Sequence, residues 1–282
     1  MDGNRYIAAS ILFFTVIVMI PFDIFFGYHI AIKHKILFNA YFITYTAYLV
    51  NGTLYTFFAA YLTLWENNII RIGYQFYQYF IPLLSVMMAL NRFTAIVVWT
   101  WHKRIPKWTF FVINGICAIA ISVMLLFVNH IGIFGIRGAD DPVIDKVFAR
   151  GFKAAAYLAS LIIEVVAVLY RKLSKKSQPI NSFNMTLLIH SLISTVCWII
   201  NFVSNQMVKF YGIEIFDSIS NVALFCGFVL PTVYLFIKIQ GLHNTLIDFC
   251  KDLRQLKLNR KAQVFHKSVK RTTTSQQMYN VT

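Results

Sequence analysis

Seven long apolar runs follow one another along the chain, separated by short polar breaks. The first runs from Tyr6 to Ile32, is interrupted only by Asp23, and is ended by Lys33, His34 and Lys35. The second lies within Ile36 to Trp65, a stretch without a charged residue. The third runs from about Ile72 to Trp99 and holds one charge, Arg92. The fourth lies within Trp108 to Ile131, and the fifth runs from Ala154 to Tyr170 with Glu164 inside it. The sixth lies within Ser182 to Val208, and the seventh runs from about Ser218 to Ile237. A helix needs about 20 mostly apolar residues to cross the hydrocarbon of a bilayer. Lipid offers no partner to backbone N–H and C=O groups, so each run is predicted to be helical. The first run is too long for a signal peptide and shows no small-residue cleavage site, so it is read as a retained span.

Composition agrees with lipid as the solvent. Of the 282 residues, 58% are hydrophobic, 17% aromatic and 13% charged, against about 25% charged in a soluble domain. The net charge of +15 is informative through its placement. The breaks after the first, third and fifth spans, with the tail from Lys238 onward, hold eighteen of the 26 Lys and Arg residues. Only Asp248 and Asp252 offset them, whereas seven acids balance the seven basic residues of the other side. Under the positive-inside rule, the N-terminus is expected outside the cell membrane and the C-terminus in the cytosol. The basic face suits anionic lipid, and nucleic-acid binding is not expected. The four cysteines (Cys117, Cys197, Cys226 and Cys250) offer no disulfide framework and no metal-binding pair.

Ionisable residues inside a membrane are costly and need a reason. Here they are Asp23, Arg92, Glu164 and His190. At about 1.5 Å per residue, all four fall in the cytosolic half of their spans. One reading pairs Arg92 with Glu164 or Asp23 in a resting state. The other lets Arg92 snorkel to the interface and leaves Glu164 bonded to a neighbouring hydroxyl. The seven histidines show neither HxxxH nor HExxH spacing, and there is no GxSxG or phosphate-binding glycine loop. Catalysis and a cofactor are therefore not expected. Asn51-Gly52-Thr53 and Asn184-Met185-Thr186 match the glycosylation pattern but lie within or beside spans, so both are read as chance matches. In the outer halves of the third to seventh spans, Tyr77, Tyr157, Asn201, Asn205 and Asn221 could together line a site for a small uncharged or weakly polar ligand. Taken singly, each fits a helix-to-helix hydrogen bond better.

The chain is expected to form two parts: a bundle over 1–239 and a cytosolic tail over 240–282. Leu242, Leu246, Phe249, Leu253 and Leu256 make one helical face, predicting an amphipathic helix along the inner membrane surface. Cys250 is placed for a reversible acyl anchor, an unmodified thiol being the plainer alternative. Ser268 and Thr272 to Ser275 form a candidate phosphorylation cluster in a basic tail.

The segment Met87-Met88-Ala89-Leu90-Asn91-Arg92-Phe93-Thr94-Ala95-Ile96 resembles the Arg-centred signature that closes the third span of G-protein-coupled receptors. Asn-Arg-Phe-Thr-Ala-Ile, followed by His102 and Pro106-Lys107-Trp108, is similar to nematode serpentine chemoreceptors of the Srg superfamily, class V most closely. Pro231-Thr232-Val233-Tyr234 resembles the Pro-x-x-Tyr element of the seventh receptor span, and the tail helix resembles the short eighth helix. The resemblance implies an all-α, seven-transmembrane receptor-like bundle in which an external small molecule favours a G-protein-activating state. It implies a signalling switch around Asn91, Arg92, Glu164, Pro231 and Tyr234. It also implies contact of a heterotrimeric G protein with Lys103, Arg104, Lys175 and Lys176. Departures accompany it: Asn91 stands where an acid is usual, and Leu230 where Asn precedes the proline. No cysteine pair is placed for an outer disulfide, and no lysine in the seventh span is placed for a retinal Schiff base. Two other readings compete. A seven-span transporter predicts a repeat between the first and last three spans, which is not visible by eye. A receptor-like protein without signalling is compatible with Asn91 and Leu230.

Overall fold

The computed structural model describes residues 2–34, 37–65, 67–98, 104, 107–131, 142–173, 182–212 and 215–252. The chain divides into two compact units, residues 1–238 and 239–282. In the first unit the described residues form seven helices: α1 Asp2–Ala31, α2 Ala40–Leu64, α3 Asn68–Val97, α4 Lys107–Ile131, α5 Pro142–Leu173, α6 Ser182–Tyr211 and α7 Ile215–Lys238. Each apolar run has become a helix. The largest difference is at α5, which starts at Pro142 rather than near Ala154, so much of the longest expected outer loop is helical. Proline at the first helical position is favourable because its missing N–H has no intrahelical partner there anyway.

Local chemistry sets the ends. At the end of α1, Lys33 adopts φ 55°. His34 N–H donates to His29 C=O at 2.9 Å, and Lys33 N–H to Ile30 C=O at 3.0 Å. These two bonds are the Schellman arrangement that satisfies the last carbonyls of a helix. The Asn39 side chain accepts from Phe42 N–H at 3.0 Å and opens α2. Asn67 accepts from Ile69 and Ile70 N–H at 3.0 and 3.2 Å and opens α3. Gly212 follows α6 at φ 65°, where a side chain would be strained.

The helices close a ring. α1 packs on α2 and α7, α7 on α6, α6 on α5, and α5 on α3, while α4 packs against α2 and α3. The bundle is apolar outside, and polar side chains are buried among a mainly apolar core. Phe14, Ile17, Ile113, Ile116, Phe127, Ile162, Leu169 and Val203 are exposed. Thr15, Thr56, Ser122, Ser160, Glu164, His190, Thr195 and Thr232 are almost wholly buried. An apolar surface with polar groups kept inside matches a protein solvated by lipid, in which polar groups must find partners inside.

Among the described residues, six helices are long and apolar enough to cross a membrane: α1, α3, α4, α5, α6 and α7. The chain is a multi-pass membrane-type helical bundle. α2 stands apart from the seven expected spans by composition. It has 25 residues and no charge, but five tyrosines and five threonines. The reason is its position: Tyr41, Tyr45, Tyr48 and Tyr55 are buried against the other helices rather than turned to lipid.

In the second unit, residues 240–252 are helical. Leu242, Leu246 and Phe249 share one face as expected, Cys250 is exposed, and Lys251 pairs with Asp248 at 3.5 Å. Leu253, Leu256, Ser268 and Thr272 to Ser275 lie outside the described residues.

Candidate functional site: a buried arginine held by three other helices

Arg92 lies about one and a half turns before the end of α3 and is only 7% exposed. It does not snorkel. Its Nη1 donates to Glu164 Oε1 of α5 at 2.9 Å. Its Nη2 donates to the Tyr41 hydroxyl of α2 at 2.6 Å and lies 3.5 Å from His190 Nδ1 of α6. The guanidinium carbon sits 4.6 Å from the centroid of the Tyr41 ring. The Ser191 hydroxyl donates to Glu164 Oε1 at 2.5 Å.

Arginine has only donors, so Tyr41 must accept from it. The Tyr41 hydroxyl proton is then available to His190 Nδ1, 3.0 Å away. This assignment puts the His190 ring proton on Nε2. The carboxylate is held on one oxygen: among the described residues, Glu164 Oε2 and Arg92 Nε are buried without a hydrogen-bond partner. A one-point contact lacks the fork geometry of a bidentate arginine–carboxylate pair and is easier to exchange.

Of the two partners expected for Arg92, Glu164 is the one present. Asp23 is engaged elsewhere, accepting from the Thr53 hydroxyl at 2.6 Å. Asn91 is buried, and its Oδ1 has no hydrogen-bond partner among the described residues. Pro231 is buried in α7, and Tyr234 is half-buried. Thr232, next to Pro231, bonds the Tyr45 hydroxyl at 2.6 Å. Pro231 has no N–H for the Gly227 carbonyl. Ser194 of α6 supplies a donor to that carbonyl at 3.3 Å, as broken helices in membranes require. Arg104 is exposed; Lys103, Lys175 and Lys176 lie outside the described residues.

The five residues expected to line a ligand site are not brought together. Asn201 donates to the Ser220 carbonyl and hydroxyl at 2.8 and 2.9 Å. Asn205 donates to the Ser220 hydroxyl at 2.7 Å and the Asn201 carbonyl at 2.8 Å. These two asparagines clip α6 to α7, because amide N–H groups in a lipid-solvated bundle seek the nearest acceptor. Tyr77 joins an aromatic group with Phe58 and Phe80, and Asn221 is half-buried. Tyr157 alone belongs to a larger assembly, stacked on Trp198 with centroids 4.8 Å apart.

Sequence reasoning missed Tyr41, Ser191, Tyr48 and Lys153. The available signal was a stripe of tyrosines at helical spacing (41, 45, 48 and 55) in a span without charge. Tyr48 accepts from the Trp198 indole N–H at 2.8 Å. Lys153 donates to the Tyr55 hydroxyl at 2.8 Å. No family model and no curated protein matches this sequence.

Proposed function

We propose that this protein is a cell-surface receptor of the G-protein-coupled type, resembling nematode serpentine chemoreceptors, that binds a small external ligand. The observation that carries this reading is the buried Arg92. Near the end of α3, it is held by Glu164, Tyr41 and His190 from three different helices. A guanidinium buried among neutral tyrosine and a singly held carboxylate is costly to keep, and such groups in membranes mark function. Helices α3, α5 and α6 meet at this cluster, so separating their ends would break the contacts together. A ligand need only favour the separated state by its differential affinity.

The basic breaks after α1, α3 and α5 support the reading that this end of the bundle faces the cytosol, by the positive-inside rule. In this reading α2 also crosses the membrane, giving seven spans with the N-terminus outside. A heterotrimeric G protein would enter at that end, facing Arg104 and its neighbours. The test is G-protein activation in cells expressing the wild type and Arg92→Ala, across a panel of small volatile and water-soluble compounds. The reading expects a ligand-dependent response that is lost in the variant at equal surface expression. Uptake of a compound without any G-protein response would support a transporter instead.

A further inference from the structure

One face of α2 reaches both Arg92 and the turn of α7 that Pro231 interrupts. Tyr41, Tyr45 and Tyr48 follow at spacings of four and three, which puts them on that face. Their rings run nearly parallel: Tyr41 and Tyr45 are 5° apart in plane with centroids at 6.1 Å, and Tyr45 and Tyr48 are 17° apart at 6.3 Å. Each hydroxyl leaves α2 for a different place. Tyr41 holds Arg92 Nη2 of α3 and His190 Nδ1 of α6. Tyr45 meets the Thr232 hydroxyl of α7 at 2.6 Å. Tyr48 takes the Trp198 N–H of α6 at 2.8 Å and lies 3.5 Å from Ser194 Oγ.

The protons available set the direction of these bonds. Thr232 gives its one hydroxyl proton to the Phe228 carbonyl at 2.7 Å, so Tyr45 must donate to Thr232. Ser194 gives its own to the Gly227 carbonyl, four residues before Pro231. Tyr45 also packs on His190, with ring centroids 4.8 Å apart at 82°. Both side chains are almost wholly buried, and a close-packed interior transmits a displacement. When Thr232 moves, Tyr45 loses its acceptor and its ring shifts against His190. His190 then leaves the Tyr41 proton, and Tyr41 leaves the guanidinium. Among the described residues, no hydrogen bond or ion pair joins Arg92 to α7 directly. We infer that Tyr45 and Thr232 are positioning residues for Arg92, tying the hold on the guanidinium to the position of α7 around Pro231. This coupling rests on the receptor reading only for its signalling consequence.

The test uses the full-length chain in lipid nanodiscs, its own cysteines replaced, with spin labels on Val98→Cys and Leu173→Cys. Both positions are exposed, at the ends of α3 and α5, and neither helix carries the tested changes. Distances between the labels are read by electron–electron double resonance without ligand or G protein. Tyr41→Phe should add a population at longer distance. Thr232→Val and Tyr45→Phe should each raise that same population, relative to the short one, by about two- to tenfold, the equivalent of one hydrogen bond. Where one of the two variants does not fold, the other carries the test. Thr232→Ser, which keeps the hydroxyl, should match wild type. On the Tyr41→Phe background, Thr232→Val should add nothing, because the route is already cut. Distances unchanged by these substitutions, a shift in Thr232→Ser equal to that in Thr232→Val, or a full effect of Thr232→Val on the Tyr41→Phe background overturns the coupling. Coupled distances without G-protein activation by any compound uphold it and remove the receptor reading. Arg92-dependent activation with uncoupled distances keeps the receptor reading and removes the coupling.

Discussion

Arg92 gains its geometry from what it cannot do: it accepts no hydrogen bond and does not lose its charge. Its partners must therefore offer an acceptor, and Glu164 and Tyr41 do, while His190 Nδ1 takes the Tyr41 proton. Glu164→Ala leaves the guanidinium without its counter-charge. Removing one partner of a buried pair costs about 3–5 kcal/mol, so a lower unfolding temperature in detergent is expected. Arg92→Met combined with Glu164→Ala should lose much less than the two single changes added together. Additive losses in that cycle would mean the pair is not coupled. Tyr41→Phe keeps the ring but removes the oxygen at 2.6 Å from Nη2, a bond to a charged group of about 1.5–3 kcal/mol. If the cluster holds a resting state, the same variant raises ligand-independent G-protein activation, read as basal nucleotide exchange. Glu164 and Arg92 were legible as membrane-buried charges. Tyr41 was not, because a tyrosine in an apolar run looks the same whether it faces lipid or a guanidinium.

At the scale of helices, close approach depends on small residues and on repaired backbone. A Cβ on Gly52 of α2 would come within 2.4 Å of the Phe228 ring of α7. Phe228 is itself enclosed by Tyr48 and Trp198, so it has little room to swing. Gly52→Ala should therefore destabilise the bundle by about 1–3 kcal/mol, the range for overpacking, seen as a lower unfolding temperature. Gly52→Ser should behave alike, since the cause is the Cβ. The α6–α7 seam also has a polar fastening, Asn201 and Asn205 on Ser220. Ser220→Ala removes one acceptor but leaves the backbone carbonyl, so a loss of only about 0.6 kcal/mol is expected. A loss several times larger in thermal melts would show that the hydroxyl holds the two helices together.

For the molecule as a whole, the open question is the path of α2. Its length, about 37 Å at the helical rise, exceeds a hydrocarbon core of about 30 Å, and its tyrosines turn inward. Single cysteines placed at Ile32 and Trp65, in a chain whose own cysteines are replaced, should label with a membrane-impermeant reagent from opposite sides. Labelling from the same side would mean that α2 does not cross. The tail should label from the cytosolic side, together with the break after α1.

The helices themselves were determined by the sequence, because an apolar run of about 20 residues in lipid has no other way to satisfy its backbone. Most of their ends fell within about four residues of the apolar runs, α5 excepted, while the capping roles of Asn39 and Asn67 came only from the structure. Only the tertiary structure decided which polar groups meet. Asn201 and Asn205 were indistinguishable by type from ligand-lining residues, yet Ser220 of α7 lies within their reach. Lys153 read as a loop cation and became a group among rings, because α5 begins a dozen or so residues earlier than its apolar run. The choice of Glu164 over Asp23 for Arg92 likewise came from rotation. A helix carries its side chains through about 100° per residue. Partnership across the bundle is therefore set by how each helix turns against its neighbours, which no single stretch of sequence contains.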